Sequence, residues 1–284
     1  MMSAVKKLLK KVFRKIGLWS IEEQVFVKQY QVACGETLKG KNVLITGGTS
    51  GIGLAIAKRC LAEGANVLIT GRNAPKLAKA HSEVNSDRLH TLLWDATDFN
   101  AIGAKTDEVF SCFNGRLDVL INNAGVATRE RFGSLSISAW DEMLAINLKA
   151  PVFIAQEVSN RWVRDGKDGV ILNISSLAGS ELTIDGYSAA KRAMNGMTKG
   201  MARELAPNGI RVNALAPGVI IGTNIRDLQR SKTPDDNLHS GWIPEKRYGV
   251  PNEIAELAVF MVSDRATYMN GAVVVCDGAG CLRK

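Results

Sequence analysis

The sequence predicts an α/β fold, a single doubly wound parallel sheet of about seven strands with helices on both faces. Three observations carry that expectation. Short β-branched runs, apolar at consecutive positions, recur along the chain as strands buried on both faces require. Longer helical stretches separate them, as crossovers between parallel strands do. A cluster of glycines follows the first run and opens a helical pattern.

Taken in order, the first strand is Asn42 to Thr46 (NVLIT), and a helix follows the glycines over Ile52 to Glu63. The second strand, Asn66 to Thr70, repeats NVLIT and leads to a helix near Ala74 to Asn85. A strand near Leu89 to Leu93, a helix over about Phe99 to Phe113 and the strand Leu117 to Ile121 complete the first half. One long helix, about Ser138 to Asp165, opens the second half and precedes the strand Val170 to Ile174. A helix over about Ser188 to Ala206, the strand Arg211 to Leu215, a helix over Glu253 to Val262 and the strand Ala272 to Val275 end the pattern. Val219 to Gly249 is the one long interruption; rich in polar and turn residues, it reads as a lid or substrate loop. In such a Rossmann-type sheet, ligands bind outside the carboxyl ends of the strands.

Composition narrows the classes. The chain of 284 residues is 46% hydrophobic and 23% charged, a globular profile. No run approaches the roughly 18 uninterrupted apolar residues of a membrane span. The five cysteines form no C-x-x-C pair and are odd in number, which fits a reduced, cytoplasmic setting. The three histidines lie far apart, so no metal site is expected. The net charge of +8 belongs mostly to one end: Lys6, Lys7, Lys10, Lys11, Arg14 and Lys15 precede the first acidic residue, Glu22. A basic tail, rather than a basic domain, argues against nucleic acid as a partner.

That tail is amphipathic. Val5, Leu8, Leu9, Val12, Phe13 and Ile16 share one face of a helix and the cations occupy the other. The chain therefore divides into a basic extension, 1–38, and a Rossmann-type domain, 39–284. Three readings of the extension stand: peripheral membrane contact through residues 1–20 with Trp19 at the headgroups, a mitochondrial presequence, or packing against protein.

The glycine turn reads Thr46-Gly47-Gly48-Thr49-Ser50-Gly51-Ile52-Gly53. Glycines let the backbone approach a pyrophosphate, whose charge the helix N-terminus stabilises. The second strand ends Thr70-Gly71-Arg72-Asn73, without the carboxylate that would bind a ribose hydroxyl and repel a 2′-phosphate. Arg72 can pair with that phosphate, so NADP(H) is favoured over NAD(H).

Further motifs follow in order: Asn122-Asn-Ala-Gly125, Asn147, Ser176, Tyr187-Ser-Ala-Ala-Lys191, and Pro217-Gly218 followed by Thr223. With the glycine turn they resemble the short-chain dehydrogenase/reductases, in the group typified by 3-oxoacyl-acyl-carrier-protein reductases, over about Lys39 to Gly280. The resemblance implies hydride transfer between NAD(P) and a small-molecule carbonyl or secondary alcohol. It implies Asn147, Ser176, Tyr187 and Lys191 as catalytic residues. Tyr187 would be the general acid and base, Ser176 would stabilise the oxyanion, and Lys191 would hold the nicotinamide ribose. Asn147 would position a relay water.

Tyr187 and Lys191, four apart, lie on one helix face, and the ammonium, together with the positive nicotinamide of the oxidised cofactor, is expected to lower the phenol pKa. Either Ser175 or Ser176 could face the tyrosine; the motif Ser-Ser-Leu-Ala-Gly selects Ser176. The segment Leu177 to Gly186 is about two residues shorter than is usual in that family.

For the cofactor, the resemblance implies Gly47, Thr49, Ser50, Gly51, Ile52, Gly53, Arg72, Asp95, Ala96, Asn123, Ala124, Gly125, Tyr187, Lys191, Pro217, Gly218, Ile220 and Thr223, with Asn122 bracing the sheet. Asp95 would contact adenine, and Ile220 and Thr223 the carboxamide side of the nicotinamide. Ala279 replaces a glycine common near the end. A homodimer or homotetramer joined through the helices carrying Asn147 and Tyr187 is also implied. Two other functions stay open: a membrane-associated reductase of a sugar or lipid-linked substrate, and a non-catalytic nucleotide-binding module.

Overall fold

The computed structural model describes residues 35–282 apart from 129, 181–182, 223–239 and 241. The basic extension up to residue 34, Thr223 and most of the Val219 to Gly249 loop therefore lie outside the described residues. Seven strands form one sheet: β1 (Asn42–Ile45), β2 (Asn66–Gly71), β3 (Leu89–Leu93), β4 (Val119–Asn122), β5 (Gly169–Ile174), β6 (Ile210–Pro217) and β7 (Val273–Cys276). Their order is β3-β2-β1-β4-β5-β6-β7, and every neighbouring pair is parallel.

Consecutive residues of each strand point to opposite faces, and in the central strands both faces are buried, while the edge strands β3 and β7 are partly exposed. Val43, Ile45, Val67, Ile69, Val119, Ile121, Leu172 and Leu215 pack on one side. There they meet α1 (Gly51–Ala62), α2 (Ala74–Val84) and α7 (Pro251–Val262). Leu44, Leu68, Leu120, Ile171 and Val212 pack on the other side, against α3 (Ile102–Cys112) and α5 (Ala150–Arg164). Consecutive apolar residues along a strand are thus each used, one per face.

The expected helix over Ser138 to Asp165 is not continuous. It comprises α4 (Ile137–Leu144), a π turn over Ala145–Lys149 and α5. Pro151 supplies a physical reason: four residues beyond Asn147, it has no N–H to close an α-type bond on the Asn147 carbonyl. The helix expected from Phe99 likewise begins as a 3₁₀ turn, Phe99–Ala101, ahead of α3. The last long helix, α6 (Gly186–Leu205), starts two residues before Ser188, which places Tyr187 in its first turn.

Candidate active site

The strand order turns outward in both directions from β1 and β4, so a crevice opens at their carboxyl ends. Into it run the extensions of β1, β4, β5 and β6, which carry the glycine turn, Asn123 to Gly125, Ser175 and Ser176, and Gly218.

The first two extensions are sewn together. Thr46 Oγ1 accepts the backbone N–H of Asn123 at 3.0 Å and of Ala124 at 3.1 Å. Asn123 Nδ2 donates back to the carbonyls of Thr46 and Gly47, at 3.0 and 2.9 Å. A Cβ on Gly47, whose φ is +66°, would stand 2.8 Å from the Ala124 backbone, so only glycine fits. The motif reading gives Thr46 no task, because the partners it joins lie on another strand.

At the start of α1, Ser50 makes no capping hydrogen bond through its side chain, and no acidic residue lies in the first turn. The leading N–H groups of this helix are therefore available to an anion with no carboxylate to compete. That arrangement fits the pyrophosphate of a dinucleotide. The turn also meets the end of β2. Gly48 N donates to the Thr70 carbonyl at 3.1 Å, and Thr49 Cγ2 fills the space where Gly71 would carry a Cβ. Arg72 is exposed just beyond and makes no hydrogen bond or ion pair among the described residues. Asp95 accepts from Thr97 Oγ1 at 2.7 Å and Thr97 N at 2.9 Å. These bonds hold its carboxyl below the usual carboxylate range against partial burial, and the Arg72 charge adds to them.

Helix α6 brings the second half of the site together. Asp185 caps it through Ser188 N at 2.7 Å. One turn further, Lys191 Nζ donates to the Ile174 carbonyl at 2.8 Å and lies 5.7 Å from the centroid of the Tyr187 ring. Only 5% of Lys191 is exposed. The Ser176 hydroxyl lies close enough to the Tyr187 phenol to favour its ionised form, and accepts from Ala178 N at 3.2 Å. The Ser175 hydroxyl turns away, donating to Asn195 Oδ1 at 2.6 Å. Asn147, 1% exposed, donates to the carbonyls of Val126 and Met143 at 2.9 and 3.0 Å. Its Oδ1 accepts from Val126 N at 3.3 Å and stands 2.8 Å from where a Cβ on Gly125 would be; Lys191 Nζ is 3.6 Å from the same point. Gly125 is thus the position around which Asn147 and Lys191 converge.

The electrostatics of the chain alone run the other way. The Tyr187 phenol is not lowered but pushed up to about 12, chiefly by burial; the Ser176 hydrogen bond works against this and the Asp185 charge with it. Burial also brings the Lys191 ammonium down to about 8. The cause is shared: the sheet and helix exclude water from both groups, and the ammonium is spent on the Ile174 carbonyl.

Other expected positions sit at the rim. Gly218 N donates to the Cys276 carbonyl at 2.9 Å. Ile220 is 5% exposed and pairs with Gly249, closing the base of the long loop, so its side chain belongs to the core. Ala279 has a φ of +67°, a left-handed backbone that alanine adopts only with strain, so its replacement of glycine is not neutral. Among the described residues there is no cluster of metal-binding side chains and no helix long and apolar enough to cross a membrane.

Comparison with known proteins shows what the chain as a whole is similar to. The sequence profile described as short chain dehydrogenase matches residues 41–234. A D-threitol dehydrogenase from Mycolicibacterium smegmatis is 36% identical, covering 85% of this chain and 93% of its own. A 3-oxoacyl-acyl-carrier-protein reductase from Thermotoga maritima is 35% identical over 85% of this chain and 98% of its own. Among solved structures, a short chain dehydrogenase from Bacillus anthracis superposes with a TM-score of 0.76 at 34% identity, covering 86% of this chain and 98% of that one.

Proposed function

Since the chain belongs to the short-chain dehydrogenases, oxidoreductases that interconvert alcohols and carbonyls with a nicotinamide cofactor, we propose that it is an NADP(H)-dependent enzyme using Tyr187 as its proton donor and acceptor. The observation that carries this reading is the meeting of Ser176, Tyr187, Lys191 and Asn147 beside the glycine turn. The cofactor would lie along the carboxyl edge of the sheet. Its pyrophosphate would rest on the start of α1, and Arg72 would pair with the 2′-phosphate of its adenosine ribose.

In the direction of reduction, the substrate oxygen sits between two hydroxyls. Ser176 donates a hydrogen bond to the oxygen as negative charge develops on it. Tyr187, held protonated by burial, delivers its proton to the alkoxide. Lys191 is fixed by the Ile174 carbonyl where it can reach both the tyrosine and the nicotinamide ribose. When bound, the cofactor would supply or accept the hydride and, in its oxidised form, add a positive charge to the site. Tyr187 would then ionise more readily for alcohol oxidation, because an added positive charge favours the phenolate. The backbone carbonyl of Asn147, to which Pro151 offers no α-type donor, would hold a water that returns a proton to Lys191.

The substrate is a small-molecule carbonyl or secondary alcohol. The D-threitol dehydrogenase and the 3-oxoacyl reductase among its relatives mark two classes to assay first. The test is NADPH oxidation across a panel of ketones, aldehydes and acyl thioesters, with Tyr187→Phe as the comparison. Loss of one proton-transfer group should lower kcat at least about 100-fold. Turnover that survives Tyr187→Phe would refute the mechanism.

A further inference from the structure

Asn195 follows Lys191 by one helical turn and Tyr187 by two, so all three side chains share a face of α6. Each engages the chain that leaves β5. Tyr187 lies beside Ser176, Lys191 holds the carbonyl of Ile174, and Asn195 accepts from Ser175 Oγ at 2.6 Å. Asn195 Nδ2 also reaches the Gly179 carbonyl at 3.4 Å. Gly179 lies so close that a Cβ there would come within 2.9 Å of both Asn195 Nδ2 and the Lys191 carbonyl. The five residues from Ser175 to Gly179 are therefore laid against α6 and tied at both ends to one side chain. Ser175, 3% exposed, has its hydroxyl committed there. The direction of its neighbour is fixed as a result: successive side chains of extended chain point opposite ways, so a Ser175 turned inward presents Ser176 outward to Tyr187.

Resting on the proposed role of Ser176, we propose that Asn195 is a positioning residue, which sets the Ser176 hydroxyl against Tyr187 by clamping Ser175 and Gly179. It touches neither the substrate nor the cofactor. Its effect should therefore appear in kcat, with KM for NADPH unchanged.

A double-mutant cycle tests the link, using NADPH and the carbonyl of the panel that turns over fastest. Asn195→Ala should lower kcat about 10- to 100-fold, the cost of a misplaced group near the reacting atoms. The Kd for NADPH, read by cofactor fluorescence, should not move. In a Ser176→Ala background the same change should cost less than about 2-fold, because the group it positions is gone. Should Asn195→Ala fail to fold, Ser175→Ala cuts the same clamp from the other side, and its loss should likewise vanish in the Ser176→Ala background. Wild-type turnover by Asn195→Ala, or losses that multiply in the double variant, would overturn the clamp while leaving the role of Ser176 intact. A Ser176→Ala enzyme with undiminished kcat would overturn the role of Ser176 first, and the clamp with it.

Discussion

Lys191 is charged in ordinary solution yet keeps only 5% of its surface in contact with water. Burial takes its pKa from 10.5 down to about 8, so the unfolded chain binds a proton across that window that the folded one gives up. Stability then rises with pH from about 8 to 10.5; below 8 both states are protonated and the cost of burying the ammonium is complete. Tyr187 acts the other way, because its pKa rises from 10 to about 12 and stability falls once the pH passes 10. Lys191→Met removes the first effect alone. Its stability relative to the wild type should be most favourable at pH 7 and less so by about 2–3 kcal/mol at pH 10. Urea midpoints of both proteins without cofactor, at the two pH values, measure this; a difference independent of pH would mean that the ammonium carries no burial cost.

Helix α6 is the element on which the site depends, and its first turn combines two tasks in Asp185. The carboxylate caps the helix through Ser188 at 2.7 Å, and its charge opposes ionisation of Tyr187 two residues on. Asp185→Asn separates the tasks, since asparagine caps as well as aspartate but carries no charge. Stability should stay within a few tenths of a kcal/mol, and the pH at which alcohol oxidation switches on should move down. A limb that stays in place, with the fold intact, would remove Asp185 from the electrostatics of the tyrosine. The hydrophobic period made this helix legible in the sequence, and the six ordered motifs named the residues that the fold then gathers. The π turn at Ala145–Lys149 was not legible in that way: apolar spacing runs through it unchanged, and the one local sign was Pro151 four residues beyond Asn147. Asn195 was hidden for a different reason. Its partners, Ser175 and Gly179, come to it from another strand, and the direction of the Tyr187 shift likewise depends on burial that only tertiary packing decides.

At the scale of the molecule, the sheet with its two packed faces is a rigid platform, and the proposed cofactor site runs along its carboxyl edge from Arg72, past the glycine turn, to Gly218. A ligand spanning several strand ends binds the folded chain alone and so stabilises all of it. At 100 times its Kd such a ligand contributes about 2.7 kcal/mol, or roughly 5–10 °C in Tm for a domain of this size. On the proposed assignment, the exposed Arg72 would pair with the one group that separates NADP from NAD. In thermal unfolding at equal concentrations, NADPH should therefore raise Tm more than NADH does. Arg72→Ala should bring the NADPH shift down to that of NADH, through the loss of a charge-assisted phosphate contact. Without cofactor its Tm should match the wild type, because Arg72 makes no hydrogen bond or ion pair among the described residues. A larger shift with NADH in the wild type would reverse the cofactor assignment. A preference for NADPH that persists in Arg72→Ala would move phosphate recognition to another residue of the same edge.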